Sequence, residues 1–253
     1  IPVHYGGHPC EMDEILKIAR HKKIKIIEDA AHCTPAFYKN RPIGSIGDIT
    51  CFSFYANKCI TTGEGGMAVT NHRHYHERMK MMSLHGLSRD AWNRFDSKGS
   101  WYYEILDRGF KYNMTDVAAA LGIHQIKMAD QLWHLRIAAA RRYAKLLEIF
   151  SHITVPVELE GVQSAWYIYP IRVNHRKVNR DKFISHLAKK GIKTSVHFIP
   201  LHLHPFYRKK YGYQRSDFPV AYDNYQGAVT LPLYPQITPM EQRYVVKQIE
   251  AII

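Results

Sequence analysis

The sequence predicts an α/β fold in its first part, followed by a smaller α+β domain, and three observations carry that reading. Residues 11–29 run from an amphipathic helical pattern through a short apolar stretch to the acidic pair Glu28-Asp29, the rhythm of an alternating α/β sheet. Two further strand-like runs each follow a Gly-containing turn. From Ile153 the texture changes, with strand-like and helical segments alternating on a shorter scale.

Met12, Ile15, Leu16, Ile18 and Ala19 share one helical face, so residues 11–22 read as a helix. Lys23 to Ile27 reads as a short buried strand. Ile49 to Phe54 is a second strand after Gly44 and Gly47, and Gly66 to Thr70 a third after Gly63-Glu64-Gly65. Residues 72–83 read as a helix. Residues 86–112 are aromatic and irregular, with Trp92, Trp101, Tyr102 and Tyr103; so long a loop inside a domain is usually functional or an interface. A long helix runs from about Thr115, a good N-cap, to Phe150. Ala165 to Val173 and Thr194 to Phe198 read as strands, Arg180 to Lys190 and Pro239 to Ile253 as helices. The expected domains are residues 1–130 and 131–253, with the boundary inside the long helix.

Composition narrows the class. Over 253 residues, 46% are apolar and 23% charged, an ordinary globular balance. No apolar run approaches the roughly 18 residues of a membrane span, and no signal segment opens the chain. The chain starts at Ile1 with a strand-like run into a turn, so the front of a longer protein is expected to be missing. The net charge is +13 and the pI about 9.5, yet the positive residues are scattered and no basic block carries interleaved aromatics. A solvated basic surface is the plain reading, and attraction of a phosphorylated substrate a weaker one. Cys10, Cys33, Cys51 and Cys59 form no C-x-x-C pair and read as buried thiols of a reducing cytoplasm. The sixteen histidines show no zinc spacing, so no structural metal is expected.

Three segments stand at expected strand ends: Glu28-Asp29-Ala30-Ala31-His32, Phe52-Ser53-Phe54-Tyr55-Ala56-Asn57-Lys58, and Thr61-Thr62-Gly63-Glu64-Gly65-Gly66. Ligands of open α/β sheets bind beyond the carboxyl ends of strands, so all three should face one crevice. Each is weak alone. A carboxylate after a strand is often a helix cap, a lone lysine a solvated surface group, and a Gly-rich run simply a turn.

Together they resemble something specific. The string FSFYANKCITTGEGG is similar to the cofactor-lysine signature of the DegT/DnrJ/EryC1/StrS aminotransferases, F-S-F, two or three residues, Lys, then T-x-G-E/D-G-G. EDAAH matches the family's E-D-A-A-Q/H element, and the 29-residue step from Asp29 to Lys58 also fits. The resemblance extends along essentially the whole chain, including GFKYNMTDVAAALG (Gly109 to Gly122). It implies a fold-type-I transferase: a three-layer α/β large domain, incomplete at the front, plus a smaller C-terminal α+β domain. The implied cofactor is pyridoxal 5'-phosphate. Lys58 would form a Schiff base with it and be the catalytic residue, since a lysine held deprotonated near an aldehyde can do so. Asp29 would keep the ring nitrogen protonated, His32 would lie by the ring hydroxyl or pack on the ring, and Ser53 would offer its hydroxyl to the phosphate. Relatives commonly carry Gln where His32 stands.

Many relatives read G-x-N-Y-R where this chain has Gly109-Phe110-Lys111-Tyr112-Asn113, and there the Asn reaches the cofactor phosphate of the partner subunit. Lys111 stands in its place and Asn113 in that of the Arg; a Lys binds phosphate as a point charge. Tyr112, His85 and His197 are candidates for touching substrate, and packed histidines are the competing reading. The aromatic loop 92–103 would stack on a sugar or pack in a dimer. The family's opening segment, with its phosphate-binding helix N-terminus, is not in this chain.

The implied function is transfer of an amino group from glutamate to a nucleotide-linked keto sugar, in a cytoplasmic homodimer with shared active sites. No nucleic-acid or membrane partner is implied. A catalytically inactive fragment serving as a binding or interaction protein is the alternative. Lys58 itself argues against the relatives that dehydrate, which carry His there. A DNA-binding regulator finds no helix-turn-helix support.

Overall fold

The structure is a computed structural model that describes residues 1–88 and 102–253. It divides into two compact units, Ile1–Asp130 with Gly161–Ser164, and Gln131–Glu160 with Ala165–Ile253.

In the first unit, helix α1 (Met12–Lys22) precedes strand β1 (Ile27–Asp29). The expected strand at Lys23–Ile27 is displaced toward the acidic pair. Lys23 sits at φ 53°, and its amide closes the helix onto Ala19 and Arg20. Ile24 N–H then bonds the Ala19 carbonyl, while Ile26 N–H is taken by Asp48 Oδ2. The ladder therefore begins only at Ile27, and Ile24 stays exposed. Two short strands, β2 (Phe37–Tyr38) and β3 (Arg41–Pro42), form a separate antiparallel pair, which β7 (Val162–Gln163) joins on the other side of β2. Thus Val162 and Gln163, expected in the second domain, pair with the first.

The main sheet has the order β1, β4 (Ile49–Ser53), β5 (Gly66–Val69), with β1 parallel and β5 antiparallel to β4. The opening segment adds a single parallel bridge, Val3 to Asp29. Buried Glu28 fastens this end of the sheet: it accepts from His4 Nε2 at 2.8 Å, the Gly47 amide at 2.6 Å and Thr50 Oγ1 at 2.8 Å. Burial alone would raise its pKa, but these three donors hold it below the usual glutamate value. Helix α2 (Arg73–Ser83) follows. The irregular stretch expected at 86–112 has bridges Leu87 to Ile105 and Leu84 to Lys111 at its described ends. Trp92 and Trp101 lie outside the described residues.

Helix α3 (Asp116–Leu147) contributes to both units. Thr115 caps it, its Oγ1 accepting from Ala118 N–H at 3.3 Å. The second unit builds one sheet, β6 (Ile153–Thr154), β8 (Tyr169–Val173) and β9 (Ala228–Leu231), all antiparallel. Helices α4 (Arg180–Lys189) and α7 (Pro239–Glu250) close a core containing Tyr143, Tyr169, Phe183, Leu187 and Ile249. The expected strand 165–173 is only half formed. Trp166 takes φ 48°, and Arg136 Nη1 donates to the carbonyls of Trp166 and Tyr167, so a side chain replaces the ladder there. Thr194–Phe198 makes just one bridge, Ser195 to Thr230. Helices α5 (Pro205–Tyr211) and α6 (Pro219–Gly227), which hydrophobic periodicity missed, both open with proline, whose fixed φ suits a first helical turn. Among the described residues no helix is long and apolar enough to cross a membrane.

Candidate active site

The parallel pairing of β1 and β4 brings two of the expected residues to one end of the sheet. Asp29 is the last residue of β1 and is registered with Cys51; the next amide, Ala30 N–H, bonds the Cys51 carbonyl at 2.9 Å. Ser53 is the last residue of β4. Both strands run the same way, so Asp29 and Ser53 leave the sheet at its carboxyl edge.

Beyond Ser53 the chain makes a pinned loop. Phe54 N–H donates to the Gly65 carbonyl at 2.8 Å, and Thr62 N–H returns to the Phe54 carbonyl at 2.9 Å. Inside the loop Lys58 N–H bonds the Tyr55 carbonyl at 3.0 Å. The Gly65-Gly66 pair is more than a turn: a Cβ on Gly66 would come within 2.8 Å of the Phe52 carbonyl oxygen. Glycine is what lets β5 close against β4 and hold both ends of the lysine loop.

Lys58 is half-buried. Burial pulls its pKa below the ordinary lysine value, and the negative charges available at Asp29 and Cys59 oppose that shift. Asp29 is half-buried rather than fully enclosed, and its Oδ1 accepts from Ala31 N–H at 3.0 Å. His32 Nδ1 accepts from Gly6 N–H at 3.3 Å, which puts the proton of a neutral ring on Nε2. That bond was not foreseen; Gly6-Gly7 directly after the opening strand was its signal. Ser53 Oγ accepts from Tyr55 N–H at 3.4 Å.

The remaining residues fall elsewhere. Lys111, Tyr112 and Asn113 line a hollow of about 450 Å³ with Thr62, Gly65 and Thr115. Asn113 Oδ1 accepts from Lys111 Nζ, and exposed Tyr112 stacks on Phe110 with ring centroids 4.8 Å apart. Neither Asp29 nor Lys58 lines this hollow. His85 takes φ 57°, and its amide bonds the Phe110 carbonyl. His197 belongs to the second unit, where its Nδ1 lies 2.8 Å from Thr230 Oγ1.

A half-buried amine, a carboxylate at the same sheet edge, an imidazole with its Nε2 proton and a strand-end hydroxyl form a donor set that fits pyridoxal phosphate. The fit rests above all on Lys58, whose burial favours the neutral amine that an aldehyde cofactor requires.

Known proteins agree. Residues 1–250 match the model of the DegT/DnrJ/EryC1/StrS aminotransferase family. The whole chain is 52% identical over 255 residues to protein MJ1066 of Methanocaldococcus jannaschii. It is 43% identical over 256 residues to the spore coat polysaccharide biosynthesis protein SpsC of Bacillus subtilis. It spans 66% of the length of each. Among solved structures, 99% of the chain superposes on 68% of Spr1654 from Streptococcus pneumoniae, assigned as a sugar aminotransferase, with a TM-score of 0.89 at 31% identity for its PMP-form. The PLP-form of that protein gives the same TM-score. The sheet edge, the pinned lysine loop and these matches lead to one conclusion: the chain belongs to the DegT/DnrJ/EryC1/StrS aminotransferase family.

Proposed function

We propose that the protein is a pyridoxal-phosphate-dependent aminotransferase that converts a nucleotide-linked keto sugar to an amino sugar, with glutamate as amino donor. The observation that carries this reading is the half-buried Lys58, drawn toward its neutral amine at the sheet edge that also bears Asp29. SpsC acts in polysaccharide biosynthesis by its name, and Spr1654 is assigned as a sugar aminotransferase, which supports a sugar as the amino acceptor.

When bound, the cofactor supplies an electron sink for the bond-breaking step. The chain's residues supply the rest. Asp29 would keep the ring nitrogen protonated through its carboxylate. Ser53 would offer its hydroxyl to the phosphate, and His32 would lie by the ring oxygen or pack on the ring. Lys58 would hold the cofactor's aldehyde carbon, and its Nζ would serve as the acid and base of the proton transfer. Lys111 and Asn113 sit in a hollow that Lys58 does not line, which supports their serving the cofactor phosphate of a second copy in a homodimer.

The test is a coupled assay of 2-oxoglutarate release from glutamate with a panel of nucleotide-linked keto sugars. Lys58→Ala should lower kcat by about 10⁴-fold, the upper range for acid–base catalysis, with Asp29→Asn also strongly reduced. A Lys58→Ala variant with full activity would exclude the proposal.

A further inference from the structure

One fully buried pair of titratable groups lies outside the donor set of the site. His4 and Glu28 have no solvent exposure, and His4 Nε2 donates to Glu28 Oε2 at 2.8 Å. On the other side of the ring, Nδ1 accepts from Cys10 N–H at 3.0 Å. Glu28 is fixed in turn by Gly47 N–H and Thr50 Oγ1. His4 is thus held at both nitrogens, by β1 and by the chain that leads into α1.

The backbone around His4 reaches the site twice. Asp29 N–H donates to the Pro2 carbonyl at 2.9 Å, and His4 N–H donates to the Asp29 carbonyl at 3.0 Å. Two residues on, Gly6 N–H donates to His32 Nδ1 at 3.3 Å, from a glycine at φ 68°, a conformation that side-chain-bearing residues adopt only with strain. Cys33 Sγ, next to His32, donates to the Gly7 carbonyl at 3.1 Å. The segment's only ladder contact with β1 is the bridge Val3 to Asp29. Of the side chains from Ile1 to His8, that of His4 alone is buried, so it is the one that fastens the segment.

A buried ionisable pair is a poor source of stability, because well-packed apolar side chains of similar volume serve as well or better; its best-attested use is to select one geometry among several. Here the geometry selected is that of the amides on Asp29 and His32. Glu28 and Asp29 are successive strand residues and point to opposite faces of the sheet, so the pair acts through the backbone. We propose that His4 is a positioning residue: clasped by Glu28, it sets the Pro2–Gly7 segment so that the segment's backbone holds Asp29 in place and keeps the proton of His32 on Nε2. This role rests on the reading of Asp29 and His32 as cofactor-facing residues.

The first test needs no cofactor. Nitrogen-15 NMR of the histidine rings, with the His32 signals assigned from His32→Gln, should show a single tautomer protonated at Nε2. His4→Ala should convert it to a mixture, and His4→Gln, which keeps an N–H for Glu28, should retain most of the single form. Glu28→Gln weakens the clasp from the other side without deleting the buried ring, and should also give a mixture if His4→Ala fails to fold. In the cofactor-loaded chain, the same variants should shift the pH midpoint of the cofactor's visible absorption band and lower kcat by about 10- to 100-fold, the cost of a small misplacement, with little change in KM for glutamate. A His32 tautomer that is mixed in the wild type, or that stays single in the folded variants, overturns the positioning role and leaves the reading of Lys58 intact. So does a variant that loses thermal stability but keeps the wild-type band and kcat. A wild-type chain that shows no cofactor band overturns the reading of the site itself, and the positioning role with it.

Discussion

Helix α3 runs through two different environments, and the contrast between its halves describes the contrast between the two units. Its second half buries Trp133, Arg136, Ala139, Ala140, Tyr143 and Leu147. Its first half buries nothing, and Val117, Leu121, Ile123 and Ile126 are each more than half exposed. The second unit closes its own core; the first leaves apolar side chains around the start of α3 exposed, along with Met67 on β5. One continuous helical pattern in sequence therefore does not reveal where along it the partner elements lie.

The contrast can be broken most directly by truncating side chains on each side of it. Phe183→Ala, at a fully buried core position of the second unit, should lower unfolding free energy by about 3–5 kcal/mol in urea titrations. Leu121→Ala in the exposed first half of α3 should change it by less than about 0.5 kcal/mol in the isolated chain. Equal losses would show that the first half of α3 is covered.

Glu28 sharpens the comparison, because it is the polar anchor of the unit with the more open core. Glu28→Ala leaves the donors of His4, Gly47 and Thr50 without their acceptor, and should cost about 3 kcal/mol. Its depressed pKa also sets a pH dependence. The stabilisation is fully present above the unfolded glutamate value of about 4.3 and is lost as pH falls through the lower folded value. Thermal melts between pH 7 and pH 3 should show an acid-side loss of Tm that is smaller in Glu28→Gln.

The closed core offers a further small effect. Tyr143 and Tyr169 are fully buried with rings 5.1 Å apart, and neither hydroxyl has a partner. Burial pushes both phenols well above their ordinary pKa. Tyr169→Phe removes an unsatisfied oxygen without opening a cavity, so it should leave stability unchanged or raise it by up to about 1 kcal/mol. A loss above that size would reveal a hydrogen bond to bound water.

Local chemistry made some of this legible in advance. The α1 face and the Thr115 cap follow from apolar period and a capping residue, and strand β4 and helix α2 form close to where the sequence places them. The site strings were legible because backbone needs forced particular residues. Gly66 is required by its approach to Phe52, and Asp29 and Ser53 end adjacent parallel strands. Other features were not legible, because their causes lie far along the chain. The displacement of β1 depends on Asp48 taking the Ile26 amide, and the loss of strand at 165–168 on Arg136 taking two carbonyls. That His202 is buried with its Nε2 unpaired becomes visible only in the folded chain.

The sequence by itself determined the α/β rhythm of the first part, the motif spacing from Asp29 to Lys58 and the family those motifs resemble. Such information sits in short strings, where backbone geometry and side-chain chemistry dictate residue type directly. The tertiary structure alone decided which lysine is desolvated, which carboxylate is saturated with donors and which half of α3 is covered. Burial and electrostatic environment are sums over residues distant in sequence, and only the folded chain performs that sum.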